Sequence, residues 1–364
     1  MGRDIVAWCA ARGFTVTLAD LDKKALAGAV GRASKFYDDK LHSGIERRDA
    51  LDRLIPDFLS GGISRADIVI EAIAEDADVK KKVFAQIAPR MKEGALLATN
   101  TSSIPLETLR EGLPSPERLV GVHFFNPVTK MELVEIVSHD QASEETLARA
   151  RAFCGDINRL PAPVRSSPGF LVNRALTPYL AEAFLLLDEG VAKGTIDRAA
   201  RDFGMPMGPI ELADQVGLDI GLHVADSLKA LFPAEVPDIP GWLREKVENG
   251  ELGKKSGKGL YDYDDKGKPR KKDAPEPEPD TADRLILPML NICVRLLREG
   301  VVADANTLDA AMIFATGFAP FRGGPIHYAR ERGLDDVVEA LQRLEQRHGP
   351  RFKPDEGWNS LSAL

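Results

Sequence analysis

The stretch Leu119–Val137 has the sequence LVGVHFFNPVTKMELVEIV and contains two apolar, strand-like runs, Leu119–Val122 and Leu133–Val137. A His-Phe-Phe-Asn-Pro turn separates the runs; His123 closes the first and Glu135 interrupts the second. Strand side chains alternate between two faces, and a buried carboxylate without a partner costs on the order of several kcal/mol. The turn brings the His123 imidazole back beside the Glu135 carboxylate. A carboxylate bound to one ring nitrogen would fix the tautomer of the imidazole, which could then act as a general base. We therefore predict a His123–Glu135 dyad.

A structural interpretation of the same two residues is also open. Glu135 would then be a surface charge on an edge strand, and His123 a hydrogen-bonded histidine of the core. The pattern by itself favours this structural interpretation, so the rest of the chain has to decide between the two.

The composition is that of an ordinary acidic protein with more than one domain. A chain of 364 residues is long enough for two or three domains, and its net charge of −8 argues against nucleic acid as the main partner. Cys9, Cys154 and Cys293 fit no metal or disulfide spacing, which predicts a cytoplasmic location. No apolar run approaches the roughly 20 residues of a membrane span, so we expect a soluble protein.

The N-terminal part of the chain alternates between strand-like and helix-like patterns. Further strands are predicted at Thr15–Ala19, which we expect to be buried, and at Ile68–Ala72, Leu96–Thr99 and Leu160–Val164. Helices are predicted at Ile5–Arg12, Lys23–Leu41, Val79–Met91, Ile104–Leu109 and Glu144–Asp156. This alternation indicates an α/β fold, a doubly wound parallel sheet with helices on both faces.

A cofactor site is predicted near the start of this sheet. In dinucleotide-binding folds a glycine-rich turn holds the pyrophosphate at a helix N-terminus, and an acidic residue ending the second strand binds the ribose. Asp20 ends a strand in this way, and Asp22 would repel a 2′-phosphate, which favours NAD over NADP. Taken alone, Asp20 is more typical of a helix N-cap. We assign residues 1–165 to a Rossmann-like NAD-binding domain.

The glycine fingerprint of that domain is incomplete. Only Gly2 is placed to be the last glycine of G-x-G-x-x-G, and the chain begins there. The first strand of a doubly wound sheet lies between the second and the fourth, so we expect Thr15–Ala19 and Ile68–Ala72 each to keep an unpaired inner edge. We expect an apolar strand ending in Gly-x-Gly-x to precede Met1 in a longer reading frame, and weak or no NAD binding without it.

From Pro168 onward the pattern is helical only. Helices are predicted at Phe170–Asp188, Ile196–Asp202, Ile210–Val216, Leu218–Leu231 and Gly241–Asn249, and the proline-rich, charged segment Gly267–Pro279 predicts an extended surface linker. Two tripeptides, Gly-Pro-Ile and Gly-Leu-Asp, recur with the same offset of 116 residues, which indicates a duplication. We assign 166–264 to a first helical domain, 265–280 to a linker and 281–364 to a second, structural copy.

Four segments, in this order, resemble the L-3-hydroxyacyl-CoA dehydrogenases: LATNTSSIPL, VGVHFFNPVTKMELVEIV, SSPGFLVNRAL and GKKSGKGLYDY. With the duplicated helical domain, the chain is similar to the dehydrogenase portion of the multifunctional fatty-acid-oxidation α-chain, which also carries an enoyl-CoA hydratase. The resemblance covers nearly the whole chain. It implies NAD-dependent oxidation of (S)-3-hydroxyacyl-CoA to 3-ketoacyl-CoA in β-oxidation, and it favours the catalytic interpretation of the dyad.

The resemblance also implies roles for individual residues. His123 would take the 3-hydroxyl proton and Glu135 would orient it, while Ser102 and Asn173 would bond the substrate oxygens. Cofactor contacts are implied at Met1, Gly2, Asp20, Ala74, Glu75, Lys80, Ser102 and Asn126, and no metal is implied. Lys80 alone would be typical of a solvated helix face, because two further lysines follow it.

Some features depart from the family pattern or leave alternatives open. The hydratase half is absent, so hydration of enoyl-CoA is not predicted, and we expect a hydratase domain to precede the apolar strand in the longer reading frame. Phe314 stands where the multifunctional members often have a tyrosine near the acyl-CoA. One rival is a catalytically impaired scaffold that cannot hold NAD. A second is a β-hydroxyacid dehydrogenase with a lysine base, whose glycine-rich helix is not found. The partners we expect are acyl-CoA and either a second copy or a hydratase or thiolase component.

Overall fold

The computed structural model describes residues 1–233, 236–271 and 274–361. The chain divides into two compact units, Met1–Ser166 and Ser167–Leu364. None of the helices in the described ranges combines the length and the apolar character that crossing a membrane requires.

The first unit has the predicted α/β architecture. Its helices are α1 (Gly2–Ala11), α2 (Lys23–Lys40), α3 (Gly44–Asp52), α4 (Ala77–Ile87), α5 (Leu106–Leu109) and α6 (Glu144–Asp156). Its strands are β1 (Val16–Ala19), β2 (Leu54–Asp57), β3 (Ile68–Glu71), β4 (Leu96–Thr99), β5 (Leu119–Phe124), β6 (Leu133–Ser138) and β7 (Leu160–Arg165).

These strands form two sheets rather than one continuous sheet. β1 pairs with β2, and a separate five-stranded sheet has the order β3-β4-β5-β6-β7. Among the described residues β1 and β3 are not paired with each other, which confirms the prediction that each keeps an unpaired inner edge. The prediction that β1 is buried is wrong. Val16, Thr17 and Leu18 are half-buried and Ala19 is exposed, because among the described strands β1 has a neighbour on one edge only.

The doubly wound architecture is confirmed, but the parallel order predicted from the alternation of strands and helices does not extend to β6. Strands β3, β4 and β5 are parallel, whereas β6 runs antiparallel to β5 and β7 is parallel to β6. The segment 125–132 between β5 and β6 is shorter than the dozen or more residues that a parallel crossover needs. The chain therefore returns in the opposite direction, and the sheet is mixed.

Helix α3 and strand β2 are absent from the sequence-based prediction. α3 begins with a capping box, in which Ser43 and Glu46 each accept a hydrogen bond from the other's backbone N–H. β2 contains Pro56, which argues against a strand in the middle of a sheet but is tolerated at an edge. In the part of the chain that the structure describes, β2 pairs with β1 and with no other strand, so it is an edge strand.

Helix α1 contributes to both hydrophobic clusters of this unit. Ile5, Trp8 and Cys9 pack in the cluster that contains residues of β4, β5, β6 and α6. Val6 and Ala7 belong to the second cluster, with α2, α3 and β2. One helix therefore packs beside both sheets, and Gly13, at φ +97°, terminates it.

The second unit is helical, as predicted. Its helices are α7 (Val172–Asp188), α8 (Lys193–Phe203), α9 (Pro209–Val216), α10 (Leu218–Leu231), α11 (Gly241–Glu248), α12 (Thr281–Arg298), α13 (Ala305–Thr316), α14 (Pro325–Arg332), α15 (Leu334–His348) and α16 (Gly357–Leu361). The predicted linker includes Lys272 and Asp273, which lie outside the described residues, and its separation of two helical domains stays a prediction.

The recurring Gly-Pro-Ile tripeptide has the same structural role in both copies. A buried aspartate accepts the isoleucine N–H in each: Asp197 accepts from Ile210 at 2.9 Å, and Asp309 accepts from Ile326 at 2.7 Å. The glycine two residues earlier lies so close to this aspartate that a Cβ would clash with it. The aspartate therefore satisfies the first N–H groups of α9 and of α14.

The long helices α7 and α12 pack against each other with reciprocal ion pairs. Arg174 of α7 binds Glu299, which follows α12, and Arg284 of α12 binds Glu189, which follows α7. The two arginines are separated by 110 positions along the chain, and so are the two glutamates. Reciprocal pairing of this kind is what an approximate two-fold axis between two equivalent elements produces.

Candidate active site

His123 and Glu135 are opposite each other in the antiparallel pair β5–β6. The imidazole Nδ1 lies 2.6 Å from Glu135 Oε2, and the two residues are 4% and 0% exposed. β6 has a strand on each side, so Glu135 is not a surface charge on an edge strand. The carboxylate orients the ring and neutralises it when it is protonated, and Nε2 is then the nitrogen that can accept a proton from a reacting group.

Glu75 organises the turn that follows β4 and contains Ser102. Its Oε1 accepts from the backbone N–H groups of Ser102 and Ser103 at 2.7 and 3.0 Å and from the Thr101 hydroxyl at 2.7 Å. Burial acts to raise the pKa of Glu75, but the Thr101 hydrogen bond, the charge of Lys80 and these N–H groups together hold it below the ordinary value. Glu75 is therefore a carboxylate at neutral pH that holds this turn closed.

Lys80 lies between two carboxylates instead of on a solvated helix face. Its side chain is 1% exposed, and Nζ is 2.7 Å from Glu71 Oε1 and 3.4 Å from Glu75 Oε2. Glu71 also accepts from the Thr99 hydroxyl at 2.7 Å. A buried cation with two carboxylate partners connects the end of β3, helix α4 and the end of β4.

Sequence reasoning did not identify Glu71, Thr99 or Asn100 as part of this network. Asn100 N donates to Glu71 O at 2.8 Å, and Asn100 Oδ1 accepts from Phe124 N, next to His123, at 2.9 Å. The available signal was a glutamate inside an otherwise apolar strand, which needs a partner as much as Glu135 does. The carboxyl ends of β3, β4 and β5 are thus joined by hydrogen bonds.

The predicted cofactor residues at the start of the chain surround the N-terminus of α1 and the end of β1. Asp20 is exposed, and its Oδ1 accepts from Asp22 N at 2.9 Å; the N-cap of α2 is Asp22, not Asp20. A Cβ on Gly2 would lie 3.4 Å from Ala72 Cβ, so helix and strand approach closely there. Met1 occupies the N-cap position of α1, and within the described chain no side chain caps this helix, whose first N–H groups could therefore bind an anion.

The remaining predicted residues are distributed over both units. Ala74 and Asn126 are exposed and follow β3 and β5, respectively. Asn173 is half-buried in the first turn of α7, in the second unit. The structure thus brings the predicted residues together in two groups: His123 with Glu135 on β5 and β6, and Glu75 with Lys80 and Ser102 beyond the ends of β3 and β4.

Comparisons with known proteins agree with this architecture. Residues 1–167 match the model of the 3-hydroxyacyl-CoA dehydrogenase NAD binding domain, and residues 169–263 match that of the 3-hydroxyacyl-CoA dehydrogenase C-terminal domain. The fatty acid oxidation complex subunit alpha of Psychrobacter arcticus is 36% identical over 366 residues, which cover 94% of this chain and 51% of that protein. The chain thus spans about half the length of the curated relatives it matches.

Two solved structures extend the comparison. 3-Hydroxybutyryl-CoA dehydrogenase from Escherichia coli K12 is 27% identical with a TM-score of 0.86, over 100% of this chain and 96% of that chain. (S)-3-Hydroxybutyryl-CoA dehydrogenase PaaH1 from Ralstonia eutropha is 34% identical with a TM-score of 0.67, over 72% and 95%. The predicted resemblance is confirmed, and the scaffold alternative is not favoured. The chain belongs to the 3-hydroxyacyl-CoA dehydrogenase family, and its first unit is the NAD-binding domain of that family.

Proposed function

We propose that this chain oxidises (S)-3-hydroxyacyl-CoA to 3-ketoacyl-CoA with NAD, as a step of fatty acid β-oxidation. The observation that carries the proposal is the buried His123–Glu135 pair, with Nδ1 and Oε2 2.6 Å apart, at the carboxyl end of β5 in a member of this family. A buried imidazole oriented by a carboxylate is the arrangement that abstraction of a hydroxyl proton needs.

In this mechanism His123 Nε2 accepts the proton of the 3-hydroxyl group. Glu135 stabilises the imidazolium that forms, which avoids the cost of an unpaired buried cation. Ser102, in the turn that Glu75 holds, would bind the reacting oxygen and contact the cofactor, and Asn173 is proposed as a further substrate-binding residue. NAD, when bound, supplies the nicotinamide ring that accepts the hydride of the substrate carbon.

The residues near α1 and β1 are suited to hold this cofactor. Asp20, an exposed carboxylate at the end of β1, would bind the ribose hydroxyls. The N-terminus of α1, with Met1 and Gly2, offers N–H groups to the pyrophosphate. We also assign cofactor contacts to Ala74, Glu75 and Asn126. We include Lys80 with them, and because its side chain is buried beside Glu75, it would act by holding that carboxylate in place.

Finer assignments belong to the same proposal. We propose that the second unit comprises two helical domains, 166–264 and 281–364, joined by a linker at 265–280. We propose that the chain acts in the cytoplasm, which is supported by its three free, buried cysteines. Its proposed partners are acyl-CoA and either a second copy or a hydratase or thiolase component, as the complex named in its relatives suggests.

The test is NADH formation by the purified chain from NAD and (S)-3-hydroxybutyryl-CoA, followed by absorbance, with longer acyl chains as a series. The His123→Gln variant is the control, because it keeps the fold and removes the base. Calorimetry with NAD alone separates loss of cofactor binding from loss of chemistry. A wild-type chain that binds NAD but forms no NADH with any chain length contradicts the proposal.

A further inference from the structure

Arg174 lies in the first turn of α7 and forms an ion pair with Glu299, which belongs to the second helical copy. Its guanidinium NH1 donates to Glu299 Oε2 at 2.6 Å, and NH2 donates to Glu299 Oε1 at 3.2 Å. The arginine side chain is 2% exposed and the glutamate is 34% exposed. A bidentate arginine–carboxylate pair fixes the relative orientation of the two side chains as well as their distance, which a lysine would not do.

The same arginine fastens the turn that leads into α7. Its NH1 also donates to Ser167 Oγ at 3.3 Å, its guanidinium lies 4.2 Å from the centre of the Phe232 ring, and its backbone N donates to Gly169 O. Gly169 and Phe170 have φ values of +72° and +52°, and Phe170 is buried. A non-glycine residue in the left-handed region persists only where surrounding contacts hold it.

Asn173, the proposed substrate-binding residue, immediately precedes this arginine. Thr177 Oγ1 donates to the Asn173 carbonyl at 2.8 Å, within the same helix. On its carboxyl side Asn173 is therefore held by the helix. On its amino side it follows the turn that Arg174 binds. If Arg174 shifts, the backbone that carries the Asn173 amide shifts with it.

The pseudo-symmetric pair provides a comparison without a substrate residue. Arg284 NH1 donates to Glu189 Oε2 at 2.6 Å, and NH2 donates to Oε1 at 2.9 Å. The residue before Arg284 is Asp283, which binds Arg332 in the second copy. Arg284 is held by Glu182 as well, and of these two arginine–glutamate pairs the one between Arg174 and Glu299 adjoins Asn173.

We propose that Glu299 is a positioning residue of the first copy's site: through Arg174 it holds the first turn of α7 and so the amide of Asn173. The second helical copy then has a role in the reaction, in addition to covering α7. This inference rests on the proposed function, in which Asn173 binds the substrate oxygens.

The experiment compares Glu299→Gln with the matched variant Glu189→Gln, both in the full chain. For Glu299→Gln we expect kcat/KM for (S)-3-hydroxybutyryl-CoA to fall about 10-fold or more, since small displacements of positioning groups are costly, with KM for NAD within about twofold of wild type. For Glu189→Gln we expect both constants within about twofold. Arg174→Lys, which keeps the charge but loses the bidentate contact, should behave like Glu299→Gln.

Hydrogen exchange of the segment 167–177 is the second measurement, because it requires no turnover. Faster exchange of this segment in Glu299→Gln than in Glu189→Gln supports the positioning role. Equal losses of kcat/KM in the two variants, or unchanged exchange of 167–177 in Glu299→Gln, overturn it. A wild-type chain without turnover contradicts the proposed function instead, and the exchange comparison still decides whether Glu299 holds the turn.

Discussion

The sheet of the NAD-binding unit is interrupted between β1 and β3, and the strands on the two sides of this interruption differ in burial. Every residue of β4 and β5 is buried, as is all of β6 except Ser138. β1 has no fully buried residue, and β3 has only Glu71. The His123–Glu135 dyad lies in the continuous part, whereas Asp20 follows β1 at the interruption. The dyad therefore lies among buried strands, and we expect the proposed cofactor site near β1 to be the less stable of the two regions.

The largest expected effect is on the dyad in the continuous part. His123→Gln should lower kcat by about 10²–10⁴, the usual contribution of a general base, and leave the Kd for NAD unchanged. Glu135→Gln should cause a loss of similar size, because the imidazolium loses its counter-charge. Steady-state kinetics and calorimetry measure the two quantities. A His123→Gln enzyme with more than half of the wild-type kcat would show that the proton goes elsewhere.

The second effect concerns stability on the two sides of the interruption. Leu96→Ala in β4 removes a side chain of a residue that is 1% exposed and should lower the free energy of unfolding by about 2–5 kcal/mol. Leu18→Ala in half-buried β1 is the same chemical change and should cost about half as much. Urea unfolding of both variants measures the difference. Equal losses would mean that β1 is as well packed as β4.

A third, smaller effect should appear in amide hydrogen exchange. Amides of β5 and β6 are expected to exchange at least about tenfold more slowly than those of β1 and β3, which can open locally because they lack a strand on one edge. Exchange followed by mass spectrometry on peptides from each strand tests this. Similar protection in all four strands would refute the idea that the interruption marks a weaker region.

The smallest effect is on the choice of cofactor. The exposed carboxylates of Asp20 and Asp22 should make kcat/KM higher with NAD than with NADP, because they repel a 2′-phosphate. Asp20→Ala should narrow this preference by about tenfold, roughly the energy of one like-charge contact near a surface. Equal kcat/KM for NAD and NADP in the wild-type chain would rule out this role for the two residues.

Local patterns explain which parts of the site were predictable. The dyad follows from strand alternation and one short turn, so the sequence near His123 contains nearly all the information needed. The buried position of Lys80 was not predictable, because the sequence pattern gives three consecutive lysines the same expected exposure. Only the packing of α4 against β3 decides which lysine is buried beside Glu71. The direction of β6 was implied by the same turn, because segment 125–132 is too short for a parallel crossover.

The interruption of the sheet was also predictable in part. The incomplete glycine fingerprint predicted that β1 and β3 would not pair with each other, but not that β1 would be only half-buried. β2 went unpredicted because Pro56 is unfavourable in a central strand, and its edge position becomes evident only once the pairing with β1 is known.

The reciprocal ion pairs between α7 and α12 have a consequence for how the two helical copies can evolve. In a homodimer one gene encodes both subunits, so any substitution appears at two symmetric places in the interface. In this chain the equivalent positions are encoded separately, and each can mutate while the other stays under selection. Glu182 shows the result: it binds Arg284, and the corresponding position of α12 is Ile292, a buried aliphatic residue. Equivalent positions of α7 and α12 can thus acquire different contacts while the reciprocal ion pairs are kept.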